Sequence, residues 1–269
     1  MTAVYFSSLA LYEPTFESFR DRVVECDYYE FSRLRLARAT RHVFVRDVMG
    51  LWYAKGVSVR INTLEALAKR IGEMTVGSDE VVCIGVSAGG YAAMVVGHLI
   101  GATAVYAFSP QFKPLRALEL FRRFCPKSGR NDVWFDQICG LEIEADKLLR
   151  TSSVPCYVQI PELSEIDIPE LESARELPSV HLQVVRSMRH GIRYGAGLCG
   201  ALFNAPHDLR RQLFDAHFDS IAGVLSFFNW RERLAIAWRS SASKRKKPCY
   251  LFRAAFYRSF FGALLGTCA

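Results

Sequence analysis

One short transition constrains this chain more than any other feature. The apolar run Val81-Val82-Cys83-Ile84 leads directly into Gly85-Val86-Ser87-Ala88-Gly89, and a small, apolar, helix-compatible segment, Tyr91 to Ile100, follows. A strand has to end there, turn sharply and feed a helix. The serine at the apex is expected in a strained backbone conformation, with Gly85 and Gly89 keeping Cβ atoms out of the crowded turn. The helix start behind Ser87 also presents N–H groups without intrahelical partners, where a developing oxyanion would form. The plainer alternative is a glycine-rich turn that packs a helix on a strand. Strand before and helix after favour a serine nucleophile over that alternative.

The rest of the chain supplies a matching frame. Residues 3–7 (Ala-Val-Tyr-Phe-Ser) and 42–48 (His-Val-Phe-Val-Arg-Asp-Val) read as strands, with an aromatic loop, Gly50 to Gly56, after the second. Thr15 to Val24 and Leu64 to Met74 have helical spacing, and Thr63 suits an N-cap. Strands are expected at Ala104–Phe108, Cys156–Ile160 and, as the last of the sheet, Val180–Val185. A short helix is expected around Leu171 to Leu177. Strands alternating with helices imply βαβ units, so the expected fold is α/β: a three-layer α/β/α sandwich with a mainly parallel central sheet. Residues 1–205 would form this domain, with a helical lid or insertion within 115–150. A helical C-terminal extension over 206–269 would end in a basic, aromatic tail.

Composition limits the function classes. With 269 residues, 51% of them hydrophobic, the chain can bury one sizeable core. No run of about 18 uncharged apolar residues occurs, so no transmembrane helix is expected. The N-terminus lacks the basic start and apolar core of a signal peptide. Eight cysteines are present, but none forms a C-x-x-C pair, which excludes a zinc ribbon or a thioredoxin-like site. They read as reduced and buried, implying a cytoplasmic location. The net charge of +7 is concentrated in places such as Lys244-Arg245-Lys246-Lys247. No nucleic-acid module accompanies it, so a solvated or anion-facing surface is expected.

A serine hydroxyl needs a base held by a third group. Of the six histidines, His42 begins a strand and His98 lies about three turns down the serine's own helix. His181 lies inside a strand, while His207 and His217 belong to the tail. His190, just past the C-terminal end of the strand 180–185, remains as the base. The acid should follow the strand Cys156–Ile160, where Glu162, Glu165 and Asp167 are available. Asp167 is preferred and Glu165 is the alternative. Ile166 and Ile168 would hold the Asp167 backbone against the domain, although strand-like alternation would turn its side chain away.

On these residues the chain resembles the α/β-hydrolase superfamily over roughly residues 3–205. Gly85 to Tyr91, with Ala107-Phe108-Ser109-Pro110-Gln111 after the next strand and Trp52-Tyr53 and Gly56, resembles hydrolase-like proteins of bacterial surface-polysaccharide clusters. The resemblance implies Ser87 as nucleophile, His190 as base, and an oxyanion hole from the Ala88 N–H plus one near Ser8 or Leu9. The chain departs from the pattern where Pro161 replaces a strand-ending glycine and Ser164 stands where an aspartate is common. It also lacks an H-G-G-G run.

Two functions follow. One is a serine-dependent ester hydrolase or acyl transferase, with a small-molecule or glycan ester, such as an acylated sugar or glycan precursor, as substrate and no cofactor or metal. The other is a non-catalytic hydrolase-like scaffold in a polysaccharide-synthesis complex. That reading draws on the aromatic tail (Phe252, Phe256, Phe260 and Phe261 among arginines) as a peripheral membrane or protein contact, and on an exposed Trp52-Tyr53 loop.

Overall fold

The computed structural model describes residues 1–9, 15–32, 34–124, 139–140, 143–192 and 194–245. Its centre is a seven-stranded, wholly parallel sheet: β1 (Thr2–Phe6), β2 (Arg41–Val45), β3 (Val81–Val86), β4 (Ala104–Phe108), β5 (Cys156–Pro161), β6 (Val180–Val185) and β7 (His217–Phe218). The spatial order is β2-β1-β3-β4-β5-β6-β7. The chain therefore leaves β1 in one direction and passes to the other side of it on reaching β3. The crevice at the carboxyl ends of β1 and β3 is where an open parallel sheet gathers its ligands.

Side-chain alternation explains why these strands are apolar throughout. Val4, Phe6, Cys83, Val105, Ala107, Val158 and Ile160 face one core, whereas Ala3, Tyr5, Val82, Ile84, Tyr106, Phe108 and Tyr157 face the other. A strand covered on both faces has no wet side on which to put polar residues. On the first face pack α2 (Leu64–Thr75), α3 (Ala88–Leu99), α4 (Pro114–Phe124), α5 (Ala145–Leu149) and α6 (Ile168–Arg175). The second face is covered by α7 (Ala196–Asn204), α8 (His207–Phe214), α9 (Ile221–Leu225) and α10 (Trp230–Arg245). Every residue of α3 from Ala88 to Gly97 is buried, as expected of a helix that is apolar on all sides.

Boundaries follow local chemistry. Thr63 caps α2 by accepting the Ala66 N–H at 3.1 Å. Strand β2 stops at Val45, short of the expected residue 48, because Asp47 turns the chain. Its buried carboxylate accepts the N–H groups of Met49, Gly50, Leu51 and Tyr53. That turn places Trp52 and Tyr53 at φ 52° and 61°, in the left-handed region, and buries both rings completely. The aromatic loop is therefore core, not the exposed surface expected of it. Its aromatics are there because one carboxylate gathers the surrounding amides. Thr15 to Val24 is split between α1 (Phe16–Phe19), a single α-turn, and a π-helical segment, Arg20–Glu25.

Val180–Val185 is not the last strand. His217–Phe218 pairs beside it in the register Val184↔His217 and Val185↔Phe218. Two residues have no periodicity to read, so β7 is invisible in a pattern that looks helical from residue 206 onward. Helix α10 packs against α7, where a Cβ on Gly197 would come 2.1 Å from the Ile236 carbonyl oxygen. Of the stretch 115–150, α4 and α5 account for the two ends, while Trp134-Phe135 lies outside the described residues. The tail from Tyr250 to Leu265 and the Lys246-Lys247 half of the basic run also lie outside them. Among the described residues no helix is long and apolar enough to cross a membrane.

Candidate active site

The turn after β3 is a strained elbow. Ser87 has φ 55° and ψ −125°, a conformation that costs an ordinary residue energy and persists only when its surroundings fix it. Here its N–H donates to Phe108 O on β4 at 2.9 Å and its carbonyl accepts from Tyr91 N at 3.1 Å. The flanking glycines are required by backbone crowding. A Cβ on Gly85 would lie 1.9 Å from Gly89 O, and one on Gly89 would lie 2.2 Å from Phe6 O at the end of β1. The elbow is pressed into the crevice between β1 and β3.

Two further loops converge on the serine. His190 follows β6, and its Nε2 lies 2.8 Å from Ser87 Oγ. Its Nδ1 faces both carboxylate oxygens of Asp167, at 2.9 and 3.0 Å. A carboxylate only accepts, so the imidazole proton is on Nδ1 and Nε2 is left to face the serine. Asp167 is fully buried, Ser87 is 9% exposed and His190 is 8% exposed. Glu165 points to solvent and is not part of the cluster. Among the described residues no group of three His, Cys, Asp or Glu side chains is placed to hold a metal.

The route by which Asp167 arrives differs from the two-isoleucine expectation. Ile166 is buried in the first core, but Ile168 is 40% exposed. After β5 ends at Pro161 the chain does not continue as a strand. Ser164 O accepts from Asp167 N at 2.8 Å and from Ile168 N at 3.0 Å, turning the chain into α6. Helical rather than alternating geometry thus lets Asp167 point inward beside a buried Ile166. One turn later Glu170, also fully buried, accepts the Phe112 N–H at 2.8 Å and the Arg116 guanidinium at 2.8 Å. Burial pushes the Glu170 carboxyl up, and Arg116 draws it back down.

The expected anion-binding backbone is in part engaged. Ala88 opens α3, so its N–H has no carbonyl one turn back within the helix. At the end of β1, the Ser8 N–H donates to Glu30 Oε2 at 2.5 Å and the Ser8 hydroxyl to Glu30 Oε1 at 3.1 Å. Of the two neighbouring amides expected near this point, Ser8's therefore serves Glu30, and Leu9 is the one that follows it. Nothing in the sequence near Glu30 signals this contact across 22 positions.

Gln111 is the side chain at the site to which the sequence assigned no role. It is fully buried, and its Nε2 lies 3.2 Å from Ser87 Oγ and 3.4 Å from His190 Nε2. Its Oε1 accepts from Trp52 Nε1 at 3.2 Å. The segment Ser109–Gln111 was notable in the sequence, but only the tertiary structure places its amide over the serine. The loop is fixed on each side. Ser109, at φ 46°, accepts the Gly191 N–H on its hydroxyl at 2.9 Å and donates its own N–H to Gln159 O at 2.7 Å.

No known family model matches the chain, and no curated protein matches it. Among solved structures, a thermophilic esterase from Thermogutta terrifontis is similar over 91% of this chain and 90% of its own, at 15% identity and a TM-score of 0.39. An esterase of Pyrococcus furiosus is similar over 84% of this chain and 81% of its own, at 13% identity and a TM-score of 0.40.

Proposed function

We propose that this protein is a serine-dependent ester hydrolase or acyl transferase, with an acylated sugar or glycan precursor as the substrate class. One observation carries the serine-dependent chemistry: Ser87 Oγ, His190 and Asp167 stand in unbroken hydrogen-bond contact at 2.8 and 2.9 Å, with the serine held at a strained elbow. The substrate class rests on the resemblance to hydrolase-like proteins of surface-polysaccharide clusters.

In this reading Ser87 Oγ attacks the ester carbonyl carbon as its proton passes to His190 Nε2. Asp167 stabilises the imidazolium and holds it in orientation. The carbonyl oxygen, now an oxyanion, is received by the Ala88 N–H at the α3 N-terminus and by the amide of Leu9. Collapse breaks the bond to the alcohol, which leaves with the proton from His190. Water attacks the acyl-serine to complete hydrolysis, and a second alcohol attacks it to complete transfer. The same residues serve both, so the acceptor decides the outcome.

Fluorophosphonate labelling tests this directly. The native protein is expected to be labelled and Ser87→Ala to stay unlabelled. A folded wild-type chain that takes up no label would sink the reading. Activity is expected to persist after chelation, and its loss with restoration by a divalent ion would also count against the reading.

A second reading, a hydrolase-like scaffold in a synthesis complex, is favoured by the outer side of α10. Trp230, Leu234 and Trp238, four residues apart, are 65, 62 and 71% exposed, while Ile236 is buried against the domain. Arg231, Arg233 and Arg239 lie among them, and the run Lys244-Arg245-Lys246-Lys247 follows. Interfacial tryptophans with cationic neighbours suit an anionic membrane surface or a partner protein. The two readings separate on the labelling result.

A further inference from the structure

We infer that Gln111 is a positioning residue that fixes the direction of the Ser87–His190 hydrogen bond, with Trp52 as its anchor. This rests on the serine-hydrolase reading and adds a residue to it. Donor and acceptor inventory orders the whole chain of contacts. An indole N–H only donates, so Trp52 Nε1, 3.2 Å from Gln111 Oε1, settles which end of the amide is oxygen. The nitrogen end then lies 3.2 Å from Ser87 Oγ, nearer than the oxygen end at 3.4 Å, and it also faces the Ser109 carbonyl at 3.4 Å, a contact only a donor can use. An amide NH₂ only donates, so Ser87 Oγ accepts from it. The one proton of the serine hydroxyl then has two acceptors in reach, and the 2.8 Å contact to His190 Nε2 is much shorter than the 3.4 Å to Gln111 Oε1, which already accepts from Trp52.

The imidazole end agrees. Gln111 Nε2 lies 3.4 Å from His190 Nε2, where an N–H on the ring would face the amide's hydrogens head-on. An unprotonated Nε2 relieves that clash and matches the proton placed on Nδ1 by Asp167. Read from one end, the relay runs from Trp52 to Gln111 to Ser87 to His190 to Asp167, with the proton on the serine oxygen aimed at the base.

The protein fixes this amide from every side. Trp52 reaches it through the left-handed turn that Asp47 holds. The next residue, Phe112, is held at its N–H by Glu170 and at its carbonyl by the Ala145 N–H, 3.0 Å away. Asp167 and Glu170 sit one turn apart at the start of α6, so one helix positions both the imidazole and the loop that bears the amide. A buried amide with this many fixed contacts has one orientation, and an error of about 1 Å at such a site costs on the order of 100-fold in rate.

Three variants test the relay: Gln111→Met, Gln111→Glu and Trp52→Phe, each checked for folding by circular dichroism. Two readouts are used, the fluorophosphonate labelling rate as a function of pH and the ¹⁵N shifts of the His190 imidazole. Gln111→Met removes the donor and is expected to slow labelling about 10- to 100-fold without moving the acid limb of the profile. In Gln111→Glu an acceptor replaces the donor. It draws the serine proton away from His190 and favours the imidazolium, so the acid limb and the ¹⁵N titration both move to higher pH by about one unit or more. Trp52→Phe frees the amide to flip, and a loss smaller than that of Gln111→Met is expected, again with no shift of the limb.

The outcomes separate the two levels of the reading. The hydrolase reading fails if a folded wild type does not label, whatever the ¹⁵N shifts show. The relay fails if wild type labels but the folded variants keep its rate and pH profile, or if wild-type His190 carries its proton on Nε2. Should Gln111→Met not fold, the isosteric Gln111→Glu and the remote Trp52→Phe still give the decision.

Discussion

At the scale of single residues, the proposed site turns on where two protons sit, one on Ser87 Oγ and one on His190 Nδ1. The Asp167 carboxylate is fully buried and within 3.0 Å of His190 Nδ1 through both oxygens, and in the proposed triad it sets the imidazole tautomer. Asp167→Asn keeps the shape but places an NH₂ or a weaker acceptor against the ring. In the serine-protease triad the equivalent change costs about 10⁴-fold in turnover, and a loss of that order is expected here with the fold intact. Glu165→Gln, at a solvated position, is expected to leave turnover within about twofold, as surface substitutions away from such contacts generally do. Steady-state turnover of the two variants on a generic ester separates the carboxylates. Equal losses in both would remove Asp167 from its role.

At the scale of elements, the elbow and α6 are the parts with least room for change. Gly89→Ala would drive a Cβ to 2.2 Å from the Phe6 carbonyl oxygen, so the first turn of α3 could not keep its present distance from the end of β1. A loss on the order of 4 kcal/mol is expected, at the exceptional end for a point substitution. Urea unfolding measures it, and a midpoint unchanged from wild type would contradict the crowding. On α6, Glu170→Ala removes the acceptor for Phe112 N–H and the partner of Arg116 together. Breaking a buried ion pair from one side costs about 3–5 kcal/mol. Arg116 is partly solvated, which puts the expected loss toward the lower figure. Because the same change loosens the loop that bears Gln111, turnover should fall along with stability. A variant that is destabilised yet fully active would show that the loop does not depend on this clamp.

At the scale of the whole molecule, the two cores carry their own reporters. Cys83 and Cys156 lie in the core on the α3 side of the sheet and Cys199 in the core on the other side. Burial pushes all three thiols up, Cys156 and Cys199 to about 12. Cys26 and Cys139 are exposed. Native protein treated with iodoacetamide at pH 8 should be modified at Cys26 and Cys139 and spared at the three buried sites, with all of them reacting after unfolding. The folded thiols keep protons that the unfolded chain releases. Their contribution to stability is therefore intact below the ordinary thiol value of about 8.5 and declines as pH rises above it. Mass spectrometry of the alkylated peptides checks the pattern. Modification of Cys199 but not Cys83 or Cys156 in native protein would show that the α10 side opens on its own.

The sequence by itself determined the layered α/β architecture, and it placed a glycine-framed turn at Ser87 and a histidine, His190, past a strand end. Each of these rests on a local signal: an apolar run before a glycine-framed serine, a cap such as Thr63, a strand end before His190. It offered Asp167 and Glu165 in one loop as partners for His190 but could not tell which of them would reach it, because that depended on whether residues 164–168 alternate or coil. Only the tertiary structure decided that, through hydrogen bonds to Ser164 O that no pattern of apolar residues records. It also decided what pattern cannot carry: the two-residue strand β7, the burial of Trp52 and Tyr53 around one carboxylate, the engagement of Ser8 by Glu30, and the arrival of Gln111 over Ser87. Periodicity reports which side of an element is dry. Contacts between side chains 20 to 100 positions apart are set by where the sheet brings its strand ends together, and at those ends this site is built.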